Sequence, residues 1–209
     1  MVLQTHNFSV KQIAESGQCF RMNKITDKKY SLVAYGGYLE LEDIDEIEEP
    51  EYNAVLMSCD LDEYKAIWKY YFDMDYNYRD LVTTLLYGDD EFLRIAATYG
   101  SGIRILRQEP FEALISFIIS QRKSIPAIKN CIEKLCERYG EQKEWNGKTY
   151  YTFPTPDRLA NARLEDLRGL GAGYRDEYIV NAARAVADGQ IDLEELKRVS
   201  CDEAIQTLK

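Results

Sequence analysis

Histidine is nearly absent. The chain of 209 residues holds one, His6, which argues against a His-based metal site and against a Ser-His-Asp triad. Cysteine is sparse and unpaired in pattern. Cys19, Cys59, Cys131, Cys136 and Cys201 make an odd count with no C-x-x-C spacing, so reduced thiols are expected rather than a zinc or iron–sulfur site. Long apolar runs are missing too: the longest nearly uncharged one, Ala113 to Ser120, is far too short to span a bilayer. The opening MVLQTHNFSV has no basic segment ahead of an apolar one, so no secretory signal is read. A soluble cytoplasmic protein is the expectation. There is no P-loop, internal repeat or low-complexity tract. Gly169, Gly171 and Gly173 follow a helical segment rather than a strand, which argues against a dinucleotide fingerprint. No cofactor, metal or membrane contact is expected.

Positive charge is the other shortage. The net charge of −10 argues against a nonspecific basic nucleic-acid binder. The balance is uneven, however. Residues 1–105 carry 10 basic and 19 acidic side chains, and residues 106–209 carry 16 and 17. Much of the acidity is one cluster of Glu42, Asp43, Asp45, Glu46, Glu48, Glu49 and Glu51, which reads as a solvated loop. A local basic surface on the second half stays open.

What is present is a 45% hydrophobic, 30% charged chain, globular in composition and long enough for one large or two small domains. Ser9 to Ser16 reads as a short helix with Ser9 as N-cap and Gly17 past its end. Strand-like segments follow around Phe20–Ile25, Tyr30–Tyr35, Tyr38–Leu41 and Asn53–Met57, with a hairpin turn at Gly36-Gly37. Helices are expected over Leu61–Tyr71, Tyr78–Tyr87 and Glu91–Thr98. The first domain, α+β, is thus placed at residues 1–105.

From residue 106 to 209 the pattern is almost wholly helical. Pro110 to Ser120 carries Phe111, Leu114, Ile115, Ile118 and Ile119 at helical spacing, and Pro110 suits a first helical turn. Gln121 to Ser124 is a short polar, basic loop, and an apolar helix follows to Arg138. On its own residues this loop reads as a solvated connection. Asn146-Gly147 marks a small turn or hairpin. Arg175 to Ala187 is amphipathic, and Ser200 with Glu203 forms a capping-box pattern ahead of the last helix.

Three segments then carry a family likeness in order: SGQCFRM (Ser16 to Met22), RILRQEPFEALISFIISQRKSIPAI (Arg104 to Ile128) and LRGLGAGYRDEYIVNAARAV (Leu167 to Val186). Together they resemble the 8-oxoguanine DNA glycosylases of the helix-hairpin-helix superfamily. The resemblance implies an N-terminal antiparallel, TATA-binding-protein-like sheet domain followed by an all-helical glycosylase domain. It implies base excision repair: duplex DNA is bent, a damaged purine is flipped out and its glycosidic bond cut, with possible lyase action on the abasic site. The partner implied is double-stranded DNA holding a damaged purine, which would place the protein at the nucleoid when bound. By the same resemblance, the carbonyl of Gly17 helps distinguish an oxidised guanine. Arg122 lies where the family fills the gap or contacts the orphaned base, with Lys123 beside it in a DNA-facing loop. Tyr174 and Arg175 match the pair that wedges into the duplex and reads the opposite base.

The departures carry weight. The loop reads Gln-Arg-Lys-Ser where the family usually has asparagines, and Ala127 stands where an arginine is often found. Lesion type and opposite-base preference stay open, including a 3-methyladenine-type (alkylpurine) specificity. The family's Leu-Pro-Gly-Val-Gly-like hairpin, catalytic lysine and catalytic aspartate have no match up to Lys209, and Lys209 precedes the hairpin position. The expectation is therefore the first part of a glycosylase, incomplete at its C-terminus, without a catalytic residue and inactive by itself. The alternative is a noncatalytic damage-binding or protein-interaction module on the same scaffold. An apolar surface left where further helices would pack would favour self-association.

Overall fold

A computed structural model describes residues 1–44 and 53–208. The chain divides into two compact units, Met1–Gln108 and Glu109–Lys209, each described here by itself.

The first unit is built on a five-stranded antiparallel sheet in the order β1-β5-β4-β3-β2. Its strands are β1 (Val2–Thr5), β2 (Met22–Lys24), β3 (Lys29–Ala34), β4 (Gly37–Ile44) and β5 (Asn53–Met57). The β3–β4 turn sits one residue earlier than Gly36-Gly37. Ala34 pairs with Gly37, and the two turn residues are Tyr35 (φ 50°) and Gly36 (φ 70°). Both are left-handed, as the two-residue hairpin loop that matches strand twist requires. Gly37 serves a different purpose, because a Cβ there would lie 3.2 Å from Cζ2 of Trp68.

Helix α1 (Val10–Glu15) lies over this sheet, its N-cap Ser9 accepting from the amide of Gln12. Asp43 accepts a second bond, from the amide of Val10 at 3.1 Å. This corrects one part of the acidic cluster: Asp43 is a half-buried cap and not a solvated charge, and burial raises its carboxyl above the ordinary aspartate value. Residues 45–51 of that cluster lie outside the described residues. Residues 61–71 form one continuous rod: α2 (Leu61–Glu63), a π-helical stretch (Tyr64–Trp68) and α3 (Lys69–Tyr71). Its buried Trp68 and Tyr71, with Phe72 just past its end, join Phe8, Ile13, Leu32, Leu39, Leu41, Val55 and Met57 in the core. Helices α4 (Tyr78–Leu86) and α5 (Glu91–Gly100) complete the unit, capped by Asn77 and Asp90.

The second unit is helical apart from one small hairpin. Helix α6 (Pro110–Ser120) leads into α7 (Ile125–Tyr139), both with proline in the first turn. Strands β6 (Gln142–Trp145) and β7 (Lys148–Tyr151) close around Asn146-Gly147, both with positive φ. Then come α8 (Pro156–Ala160), α9 (Leu164–Gly169), a 3-10 turn (Gly173–Arg175), α10 (Asp176–Ala187), another 3-10 turn (Glu195–Lys197) and α11 (Cys201–Thr207). Buried side chains of this unit include Ile115, Ile119, Ile128, Ile132, Leu135, Leu159, Leu167, Ile179, Val180 and Ala183. The apolar residues of α6 differ in burial. Ile115 and Ile119 are buried, whereas Phe117 is 67% exposed. Leu114 and Phe117 line a groove with Pro110, Leu193, Leu196 and Leu208.

Among the described residues no helix is long and apolar enough to cross a membrane, and no His/Cys/Asp/Glu group could hold a metal ion.

Candidate nucleic-acid interface

Two short loops of the second unit come together. The first, residues 121–124, joins α6 to α7. Helix α6 ends at Gln121, whose ψ of 120° leaves the helical region; Arg122 follows with a left-handed backbone (φ 51°), and Ser124 is an extended N-cap of α7. The second, residues 170–175, joins α9 to α10. It turns on Gly171 (φ 97°) and Gly173 (φ 62°), and the amides of Gly171 and Ala172 close back onto the carbonyls of Arg168 and Leu167 at 3.0 Å. Glycine at both points avoids the cost an L side chain carries there.

The side chains of these loops split into two sets. Arg122 is exposed, and the Tyr174 ring is 60% exposed. Lys123 and Arg175 turn the other way. Lys123 Nζ donates to the carbonyl of Gly171 at 2.5 Å. Arg175 is only 5% exposed. Its Nη2 donates to the carbonyl of Gln121 and its Nη1 to that of Ala172 at 3.3 Å. The guanidinium also lies 4.4 Å from the centre of the Tyr174 ring. Cys131 lies behind. Burial pushes its thiol up, and the Lys123 ammonium opposes that shift. At the base of the second loop Arg168 Nε pairs with the buried Asp176 at 2.5 Å.

The structure therefore brings Arg122, Lys123, Tyr174 and Arg175 into one place but gives them different orientations. A base-reading Arg175 would need its fork free. Here the fork is engaged by two loop carbonyls, one of them from a loop some fifty residues earlier in the chain.

Gly17 belongs to the first unit. It follows α1 with φ 79° and is exposed, and nothing lies within 4 Å of where a Cβ would stand. Its neighbour Gln18 is what holds this loop, and sequence reading gave Gln18 no role. The Gln18 Nε2 donates to the carbonyl of Arg104 at 2.9 Å, and its Oε1 accepts from the amide of Leu106 at 2.9 Å. The Gln18 carbonyl accepts from Gln108 Nε2 at 2.6 Å. Arg104 was likewise missed as an anchor. It is buried, donates to the carbonyls of His6, Asn7 and Asp73, and lies 4.5 Å from the centre of the Tyr78 ring. A polar side chain inside the recognised Ser16–Met22 segment was the available signal. Its partners, almost ninety residues away, carry no local signature.

Comparison with known proteins places this chain in a family. Residues 1–114 match the N-terminal domain of 8-oxoguanine DNA glycosylase, and residues 115–206 match the HhH-GPD superfamily of base excision DNA repair proteins. An N-glycosylase/DNA lyase of Saccharomyces cerevisiae is 30% identical over 204 residues, covering 92% of this chain and 53% of the yeast protein. A DNA-3-methyladenine glycosylase of Bacillus subtilis is 29% identical over 121 residues, 57% of this chain and 40% of that protein. The Clostridium acetobutylicum 8-oxoguanine glycosylase/lyase, solved with double-stranded DNA containing cytosine opposite 8-oxoguanine, superposes with a TM-score of 0.87 at 33% identity. That match covers all of this chain and 72% of the clostridial one. The chain spans about half the length of the curated relatives it matches. From its first residue through most of its second unit, the chain belongs to the 8-oxoguanine DNA glycosylase family within the HhH-GPD superfamily.

Proposed function

We propose that this chain supplies the damage-recognition part of a base-excision-repair DNA glycosylase of the 8-oxoguanine type, binding duplex DNA around an extruded purine. The observation that carries this reading is the pair of joined loops, which offers one cation, Arg122, and one aromatic ring, Tyr174, outward from a fixed base. An extruded base leaves a hole in the stack. A flat ring can fill it and a guanidinium can meet the unpaired partner. Gly17, held by Gln18, is the backbone element we assign to the damaged base. No residue is assigned as nucleophile or general base, so glycosylase and lyase chemistry belong to the reading of the family and not to a named side chain here.

The test is equilibrium binding to duplexes carrying 8-oxoguanine opposite cytosine, an abasic analogue, or no damage. Arg122→Ala and Tyr174→Ala should each weaken binding to the damaged duplexes. For Tyr174, losing a base–aromatic stack of about 1–3 kcal/mol corresponds to roughly five- to 150-fold. Unchanged affinity in both variants would remove these loops from the interface. Borohydride trapping on the 8-oxoguanine duplex should leave no covalent adduct. A trapped adduct would reveal a nucleophile that this reading lacks.

The similarity to the Bacillus protein supports a second reading, recognition of an alkylated purine, which preference for a 3-methyladenine-type duplex would establish. Binding with no preference for damage would favour a protein-interaction module. The groove along Leu114 and Phe117 is our candidate for self-association, checked by sedimentation of the chain with and without Phe117→Ser.

A further inference from the structure

Helix α5 of the first unit turns its apolar side outward. Phe92, Ile95, Ala96 and Tyr99 recur at helical spacing and form one stripe. A stripe of that kind ordinarily faces a core. Here Phe92 is 80%, Ile95 50% and Tyr99 79% exposed, and the buried residue of the helix is Ala97. Tyr87, at the end of α4, adds another exposed ring. The helix is held to its unit by other means. Gln12 Nε2 donates to the carbonyl of Tyr99 at 3.1 Å, Asn7 Nδ2 to that of Ser101 at 2.9 Å, and the amide of Ser9 to that of Gly102 at 2.9 Å. These bonds fix its C-terminal end and make no use of the stripe. Contiguous apolar surface left outside in this way marks an interaction site.

Charge selects the occupant. The turn from α4 into α5 reads Gly88-Asp89-Asp90-Glu91, and its three acids are exposed. Arg94 is the one cation on the helix, and residues 1–105 together carry 19 acidic against 10 basic side chains. Such a surface repels DNA, a polyanion, and a second copy would bring the same acidic turn with it. A helix with an apolar face and lysines or arginines along its edge meets both the stripe and the acids. We propose that α5 is a docking surface for an amphipathic helix with a basic edge, carried by another protein. Phe92 and Tyr99, two turns apart, are its anchors, since exposed aromatic rings bury a large area on contact. Asp89 and Glu91 meet the basic edge and set the partner's orientation. The surface belongs to the first unit and does not rest on the DNA-binding reading above.

The probe is a fluorescein-labelled peptide of leucine and lysine, about 18 residues long and patterned to give one apolar helical face, with a leucine–glutamate counterpart as control. In fluorescence anisotropy with the 209-residue chain, the lysine peptide should bind at least about tenfold more tightly than the glutamate peptide. Phe92→Ser with Tyr99→Ser should weaken the lysine peptide by at least about tenfold, the loss expected for two aromatic anchors. Phe117→Ser, in the groove along α6, should leave it unchanged. Asp89→Asn with Glu91→Gln should weaken it about threefold and flatten its salt dependence. If the serine pair disturbs the helix by circular dichroism, Phe92→Gln with Tyr99→Gln, a better helix former, carries the same measurement. Equal binding of the two peptides, or lysine-peptide binding undiminished by the change at Phe92 and Tyr99, would overturn the proposal. Two further outcomes would overturn it as well. A dimer of the unmutated chain in sedimentation that the same pair dissolves would seat a second copy on the stripe. Loss of binding to the 8-oxoguanine duplex in that pair would put DNA there.

Discussion

Gln18 and Arg104 are joined across almost ninety residues of chain by one amide: Nε2 of Gln18 donates to the Arg104 carbonyl at 2.9 Å. With the same side chain accepting from Leu106, the amide acts as a short strand would, pairing with the groups on either side of Ile105. The peptide of Gly17 is thereby fixed from its C-terminal side. Gln18→Leu should cost about 1–3 kcal/mol in urea unfolding, because a buried carbonyl and a buried amide both lose their partners. On the reading of Gly17 given above, it should also weaken binding to an 8-oxoguanine duplex more than to an abasic-analogue duplex, where no base is present to recognise. Equal losses on the two duplexes would leave Gln18 as a purely structural residue.

Gly140 is required by space, not by backbone angle. Its φ is −75°, ordinary for any residue. An added Cβ would stand 2.5 Å from the carbonyl oxygen of Cys136 and closer still to that of Thr152. The same place is where Thr152 and Glu141 clip the ends of the β6–β7 hairpin together, by bonds of 2.9 and 3.0 Å. Gly140→Ala should destabilise the chain by about 1–3 kcal/mol, with an unchanged denaturant slope. A loss below about 0.5 kcal/mol, the range of ordinary surface changes, would mean that the hairpin yields freely.

The capping box of α11 predicts a pH response of known sign. The backbone amide of Ser200 donates to the Glu203 carboxylate at 3.0 Å and the Ser200 hydroxyl at 2.9 Å, and together they hold its pKa below the ordinary glutamate value, the amide more than the hydroxyl. A carboxyl lowered in the folded state contributes stability above its unfolded pKa and loses it as pH falls through the folded value. The first turn of α11 should therefore loosen only below the usual glutamate range. A side-chain carbon titration by NMR checks this, and a Glu203 midpoint at or above the ordinary glutamate value would contradict it.

Helices α6 and α7 were legible because proline at the first turn and apolar residues at helical spacing act locally. The Asn146-Gly147 hairpin was legible for the same reason, since both residues tolerate the left-handed angles the turn needs. Strand β1 was missed: Val2–Thr5 is a short edge strand, half exposed throughout, and its existence depends on β5 fifty residues later. The π-helical stretch at Tyr64–Trp68 was equally invisible, because its apolar spacing also fits an ordinary helix. Asp43 shows how a charge in an acidic run becomes a helix cap only once two elements meet. In the candidate site, the Tyr174-Arg175 motif drew attention to the loop, but the partners of Arg175, the carbonyls of Gln121 and Ala172, are ones no motif records.

Arg122 stands at φ 51°, an angle that costs most side chains about 1 kcal/mol and glycine almost nothing. On the DNA-facing reading proposed for Arg122, stability and recognition pull in opposite directions at this one position. Arg122→Gly would relax the backbone and firm up the loop while deleting the guanidinium it presents, so a stabilised chain with weakened binding would be the signature. A residue whose replacement improves the fold and harms the interface is a place where the chain trades robustness for contact.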